Sequence, residues 1–196
     1  MSSGSSFSIG IDIGGTKIAG AAFTKERREI AQIVTATPDS YSDLVTICRD
    51  IVFEFDRKTE QKPSVGIGIP GPVSRYQGSV FATNIPCLQN KLLQPDLEKV
   101  LLRPVRLAND ADCAALSEAI DGAGIGCATV FGLIMGTGIG GGFVAHGKII
   151  EGVNGLTGEV GHLPLPFRED SDGPVVSCAC GQKGCIDKSI SGLALA

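Results

Sequence analysis

Charge is sparse in this chain and follows no pattern. Asp, Glu, Lys and Arg supply 19% of the 196 residues, the net charge is -4, and the basic residues are scattered. Without a basic stripe there is no surface to track a phosphate backbone, so no nucleic-acid partner is expected. No secretory leader is expected either: Ser2 to Ser6 are small and polar, with neither a basic start nor an apolar stretch. Residues 122–147 carry no Asp, Glu, Lys or Arg, and Gly136 and Gly140 match a GxxxG pattern. Ten of those residues are glycine and one is His146, which suits two short buried strands around a glycine turn better than a membrane span. No membrane partner is expected. There is no GxxxxGK[ST] loop, no linker and no short-period repeat. With 43% hydrophobic residues, the length suits one or two globular domains with real cores. Cys48, Cys87, Cys113 and Cys127 are dispersed, as in a reduced cytoplasmic protein.

Apolar spacing predicts a strand over Phe7–Ile13 and another over Lys17–Phe23, joined as a hairpin through Gly14-Gly15, with a third over Glu29–Thr35. Leu44, Ile47, Ile51 and Phe55 mark a helix over Ser40–Phe55, capped by Ser40 or Ser42. A strand over Val65–Ile69 stops at Pro70-Gly71-Pro72. A short helix around Leu97–Leu101, a strand over Val105–Leu107 and a helix over Asp110–Ile120 follow. Ala128–Met135 and Gly140–Ala145 are the next strand pair, and beyond Glu151 the chain reads as loop. This order predicts an α/β protein. The hairpin at Asp12–Lys17 is echoed at Gly136–Gly142, which suggests a duplicated plan with a boundary between residues 108 and 109.

The two glycine turns carry chemistry. Asp12-Ile-Gly14-Gly15-Thr16-Lys17 brings a carboxylate, a hydroxyl and an ammonium to one turn. Glycines let backbone N–H groups approach an anion, while Asp12 can hold a hydrated Mg2+. Taken alone, the segment is also an ordinary hairpin turn. Gly136, Thr137, Gly138, Gly140 and Gly141 repeat the small-residue and hydroxyl chemistry, so phosphate binding is expected. Gly136-x-Gly138-x-x-Gly141 and Gly66-x-Gly68-x-x-Gly71 match a dinucleotide fingerprint in letters only. The first runs into a strand and the second into prolines, where a helix should open.

Asn109 and Asp110 lie at a strand end, where a carboxylate could accept a substrate hydroxyl's proton; capping the next helix is the alternative. Cys178, Cys180 and Cys185 place three thiols in eight residues, behind Gly-Glu159-Val-Gly-His162. Cys3His is a closed tetrahedral set for structural zinc; a disulfide or spare buried thiols are the alternatives. Glu159 stands three residues before His162, so both could face one pocket, although from the letters alone a plain surface carboxylate is the favoured reading.

Together, Asp-Ile-Gly-Gly-Thr-Lys, Gly-Ile-Pro-Gly-Pro, Asn-Asp-Ala, Gly-Thr-Gly-Ile-Gly-Gly-Gly, Gly-Glu-Val-Gly-His and Cys-x-Cys-Gly-x-x-Gly-Cys occur in this order. In this the chain resembles the ROK sugar kinases, over about Ser8 to Leu193. The resemblance implies an actin/hexokinase-like (ribonuclease H-like) duplicated α/β fold whose second lobe is incomplete here, and ATP-dependent phosphorylation of a hexose or N-acetylhexosamine, usually at the 6-hydroxyl. It implies that Gly10 to Lys17 and Gly136 to Gly142 cradle ATP phosphates and that Asp110 is the general base. Asn84, Asn109, Asp110, Glu159 and His162 would bind sugar hydroxyls, and His162, Cys178, Cys180 and Cys185 would bind zinc. A homodimer stays open. Val65–Gly71, Asn84–Pro86 and Leu116–Ala119 look like the bacterial N-acetylglucosamine kinase branch, with fructokinase, glucokinase and N-acetylmannosamine kinase as competitors. The family usually has a sugar-touching glutamate where this chain has Asp187, one methylene shorter. Family members also continue for a further adenosine-holding segment, so weak or absent turnover is expected of these residues by themselves.

Overall fold

The computed structural model describes residues 5–74, 77–82, 84–136, 138–153 and 155–195. They form two compact units, Met1–Asp110 and Ala111–Ala196.

Unit 1 is built on β1 (Phe7–Ile13), β2 (Lys17–Thr24), β3 (Glu29–Ala36), β4 (Ser64–Ile69) and β5 (Val105–Asn109), in sheet order β3-β2-β1-β4-β5. The first three strands form an antiparallel meander in which Ile13 faces Ile18 across the first turn. β4 and β5 add in parallel, which requires crossovers. Helices α1 (Tyr41–Thr59) and α2 (Leu93–Leu101) supply them. Alternate residues Ile9, Ile11 and Ile13 of β1 are buried, the period-2 signature that fixes its register.

Helix α1 runs four residues past the predicted end. Its first turn is capped by the Ser40 hydroxyl, which accepts the Asp43 N–H, and its last residue is followed by Glu60 in the left-handed region. The cap is worth about 1 kcal/mol, whereas Leu44, Ile51, Val52 and Phe55, all buried, are each worth about 1.5–3 kcal/mol. Packing therefore holds α1, and capping sets where it starts. Two polar clasps orient it. The Tyr41 hydroxyl donates to Asp96 of α2 at 2.6 Å, and Arg103 Nη1 donates to Asp56 Oδ1 at 2.9 Å and to the Pro63 carbonyl at 3.1 Å.

Unit 2 contains α3 (Asp110–Asp121) and the antiparallel sheet β6 (Thr129–Met135), β7 (Ile139–Ala145) and β8 (Lys148–Ile149). β8 was not foreseen. It is two residues long, and its turn is His146-Gly147 with both φ positive, without the usual Asn-Gly signal. α3 lies directly on one face of the sheet: a Cβ on Gly142 would sit 2.7 Å from the Ala111 carbonyl oxygen. The opposite face exposes Phe131, Leu133, Met135 and Phe143, at 42%, 52%, 57% and 38%. The Phe131 and Phe143 rings stack across the strands with centroids 4.5 Å apart. Such a row is a docking or aggregation surface unless something covers it. The 196-residue chain is therefore expected to bind 8-anilinonaphthalene-1-sulfonate strongly. Leu133→Lys should lower the dye signal at least about twofold with little change in stability; an unchanged signal would place the dye elsewhere.

After β8 come the short 3₁₀ turns Val160–His162 and Asp170–Asp172 and the one-turn helices α4 (Asp187–Ile190) and α5 (Gly192–Leu195). Among the described residues, no helix is long and apolar enough to cross a membrane.

Candidate functional site

In unit 1 the glycine turn falls where the apolar spacing placed it, between a strand that ends at Ile13 and one that opens at Lys17. Gly10 to Ile13 belong to β1, with Gly10 paired to Ala21 and Gly66, and Lys17 opens β2. The turn proper is Gly14-Gly15-Thr16. Gly14 N–H donates to the Lys17 carbonyl at 2.9 Å, closing it. Thr37, which sequence reasoning missed, clamps it from outside: its hydroxyl donates to the Gly14 carbonyl at 2.6 Å and its N–H to the Thr16 carbonyl at 3.1 Å. No local signal marks Thr37, because the clamp depends on β3 returning beside β2. Gly15, Thr16 and Lys17 are left at the exposed tip. A Cβ on Gly15 would meet the Asn84 carbonyl oxygen at 3.2 Å, so Asn84 lies beside this turn. Burial pushes the Asp12 carboxyl up from its ordinary range, and Lys17 beside it pulls it back down. A carboxylate next to an ammonium and a bare backbone turn suits a cation–phosphate pair. Asn109 ends β5 and Asp110 opens α3, both half-buried.

In unit 2 the second turn links β6 to β7, with Met135 opposite Ile139 and Gly136 N–H donating to the Gly138 carbonyl at 2.9 Å. Gly140 and Gly141 lie in β7. Thr137, expected at this turn, lies outside the described residues.

The thiol cluster is assembled from two stretches. Pro164 bridges to Cys185, Leu165 N–H donates to the Gly184 carbonyl at 3.0 Å, and Ile186 N–H donates to the Leu163 carbonyl at 2.9 Å. This short ladder brings His162 to the cysteines. The 3₁₀ turn carrying His162 also rests on β7, since a Cβ on Gly161 would sit 2.1 Å from the Ile139 carbonyl oxygen; only glycine allows that approach. One ligand atom each from His162, Cys178, Cys180 and Cys185 lie within 4.8 Å of one another. His162 Nδ1 is 3.5 Å from Cys178 Sγ, and the Sγ atoms of Cys180 and Cys185 are 3.6 Å apart. Tetrahedral zinc with ordinary bond lengths needs about 3.6 Å between N and S and about 3.8 Å between two S atoms. A disulfide would need about 2.05 Å, and all seven cysteines are free. The donor set fits zinc. The backbone N–H of Gln182 holds the Cys180 thiol below its ordinary value, while burial, then the neighbouring thiols, push Cys185 up to about 12. Without a cation the buried thiol stays protonated; a metal would favour its thiolate.

The other ring nitrogen of His162 faces away from the thiols: Nε2 is 3.8 Å from Glu159 Oε2. Asp187 is buried and accepts the Ile139 N–H at 2.9 Å.

Glycine turns after β1 and after β6, in two α/β units, are the architecture of phosphotransferases of the actin/hexokinase-like class. Residues 8–196 match the ROK family, and the chain belongs to it. It is 43% identical over 188 residues to the N-acetyl-D-glucosamine kinase of Vibrio cholerae, covering 93% of this chain and 62% of that protein. To the enzyme of the same name from Citrobacter koseri it is 46% identical, with the same two coverages. Among solved structures, the ROK hexokinase of Thermus thermophilus superposes with a TM-score of 0.83 at 34% identity, covering 96% of this chain and 61% of that one. A ROK family glucokinase from Streptomyces griseus, solved with glucose and AMPPNP, gives 0.79 at 34% identity, covering 96% and 58%. The chain thus spans about three fifths of the length of these relatives.

Proposed function

We propose that this chain binds a hexose or N-acetylhexosamine, N-acetyl-D-glucosamine first, for phosphorylation of its 6-hydroxyl by ATP with Mg2+, in a reduced cytoplasmic setting. The observation that carries the reading is the two-sided placement of His162. Its Nδ1 lies in the thiol cluster and its Nε2 beside Glu159. We assign a structural zinc to His162, Cys178, Cys180 and Cys185. When bound, the ion supplies no open position for chemistry. Occupying Nδ1 would leave the proton on Nε2, so the imidazole becomes a fixed donor beside a fixed carboxylate acceptor. A donor and an acceptor side by side suit neighbouring sugar hydroxyls.

Asn84, Asn109 and Asp110 complete the proposed sugar contacts. Asp110 accepts the 6-hydroxyl proton as that oxygen attacks the γ-phosphorus. Gly14, Gly15, Thr16 and Lys17, with Gly136 to Gly142, meet the phosphates, and Asp12 holds the hydrated cation. The names of the relatives support the amino sugar, while the glucokinase and hexokinase structures keep glucose as the competitor.

Calorimetry with N-acetylglucosamine, glucose, mannose and fructose tests the reading, with the amino sugar expected to bind tightest; binding of none would overturn it. Single-turnover transfer from labelled ATP tests the chemistry. Asp110→Asn is expected to lower the transfer rate at least about 100-fold with sugar affinity little changed. A rate within threefold of the parent removes Asp110 from the base role. A second reading is a sugar-binding protein without transfer. Sugar binding with no ADP release would select it.

A further inference from the structure

The aspartate that stands where the family resemblance expects a sugar-touching glutamate packs against the second glycine turn. Asp187 is 9% exposed, and its Oδ1 accepts the Ile139 N–H at 2.9 Å. Its Oδ2 meets Lys188 Nζ at 3.1 Å. A Cβ on Gly138 would sit 3.0 Å from Oδ1, so the carboxylate lies directly against the second glycine turn. The peptide plane between Gly138 and Ile139 is held from both sides: its N–H by Asp187, its carbonyl by the Gly136 N–H at 2.9 Å. The same segment grips the other shoulder of the turn, where Gly192 N–H donates to the Gly136 carbonyl at 2.7 Å.

A turn that pivots on Gly136 and Gly138 loses more backbone freedom on ordering than one whose residues carry side chains. A buried carboxylate accepting a backbone N–H makes one of the stronger hydrogen bonds available to fix it. The segment doing so begins at Cys185, itself one of the four clustered ligands. Cys185 and Asp187 are two residues apart, and the ladder through Leu163, Gly184 and Ile186 leaves little slack between them.

We propose that Asp187 is a positioning residue for the second glycine turn rather than a sugar ligand, and that metal occupancy of the thiol cluster is coupled through it to the turn's affinity for phosphate. The coupling rests on the phosphate-binding reading above; the positioning role does not.

The test compares the zinc-loaded 196-residue chain, the same chain after chelation, and the zinc-loaded variants Asp187→Ala, Asp187→Asn and Asp187→Glu. Amide exchange at Ile139 is followed by NMR, with Val144 in the same strand as the internal reference and circular dichroism as the check on folding. Exchange at Ile139 is expected to rise at least tenfold in Asp187→Ala and after chelation, with Val144 unchanged. Asp187→Asn, which keeps an acceptor oxygen, should recover most of the protection. Calorimetry should show Mg–ATP affinity falling at least fivefold in Asp187→Ala, with N-acetylglucosamine affinity within twofold. Unchanged Ile139 exchange in Asp187→Ala overturns the positioning role. Loss of sugar affinity with Ile139 exchange unmoved, rescued by Asp187→Glu, makes Asp187 a sugar ligand after all. Faster exchange with Mg–ATP affinity unmoved overturns the coupling. If the parent chain binds no Mg–ATP, the phosphate reading and the coupling fail, and the exchange data still decide the positioning role. If chelation unfolds unit 2, the comparison of zinc-loaded variants decides.

Discussion

Chelation of the metal, or Cys185→Ser, is expected to dissolve the fold of residues 158–192 while unit 1 stays intact, and to lower N-acetylglucosamine affinity at least about tenfold. The reason is how little else holds this stretch. Beyond β7, the only buried hydrophobic side chains among the described residues are Cys178 and Cys185. Otherwise the stretch is held mainly by backbone bonds and by the Asp187 carboxylate on the Ile139 N–H. Structural zinc contributes about 10–16 kcal/mol in small sites, far more than a handful of exposed loop hydrogen bonds at about 1 kcal/mol each. Removing the ion should therefore give two separated unfolding events, resolved as loss of exchange protection at Ile139 and Leu163 well before Ile11 and Ile67. Sugar affinity should fall with it, because the proposed donor His162 is aimed only while its Nδ1 is held. Tight sugar binding by a metal-free sample would break the link between cluster and sugar contact. Tight binding of zinc with no gain in protection would deny the cluster its structural role.

Much of unit 1 was legible because its signals are local. Alternation of isoleucines in β1, the i, i+3, i+4 spacing of α1 and the Ser40 cap each report the conformation of the residues that carry them. The convergence of His162, Cys178, Cys180 and Cys185 was legible for a related reason: thiols are scarce, and three in eight residues is a pattern by itself. What the letters hid are contacts made across the fold. Thr37 clamps a turn some twenty residues away, and nothing around it distinguishes it from any other threonine. For Asp187 the letters give the residue type and carry no direction. Only the packing of α4 against the glycine turn shows where its carboxylate points. By contrast, the first glycine turn was legible: the apolar run Phe7–Ile13 keeps Gly10 in β1, where it pairs with Ala21 and Gly66.

Arg103→Met is expected to be as damaging as truncating a core side chain of unit 1, costing about 3–5 kcal/mol. The Arg103 side chain is 8% exposed and that of Asp56 17%. Two parallel hydrogen bonds join them, and a third reaches the Pro63 carbonyl. Loss of the guanidinium would leave a nearly buried carboxylate and a carbonyl without their donors, and that desolvation, rather than lost attraction, sets the size of the effect. Exposed pairs provide the contrast. Arg57 with Glu54 and Arg49 with Asp50 sit in water, where such pairs are worth at most about 1 kcal/mol, so Arg57→Ala should be nearly silent. Amide exchange in β1 and β4 reports unit 1 alone and gives each cost directly. Asp56→Leu combined with Arg103→Met removes both charges and should recover most of the loss. A single-variant cost below about 1 kcal/mol would mean that water reaches the pair. A double variant as damaged as the single would mean that the bond to Pro63, not the ion pair, fixes α1 against β4.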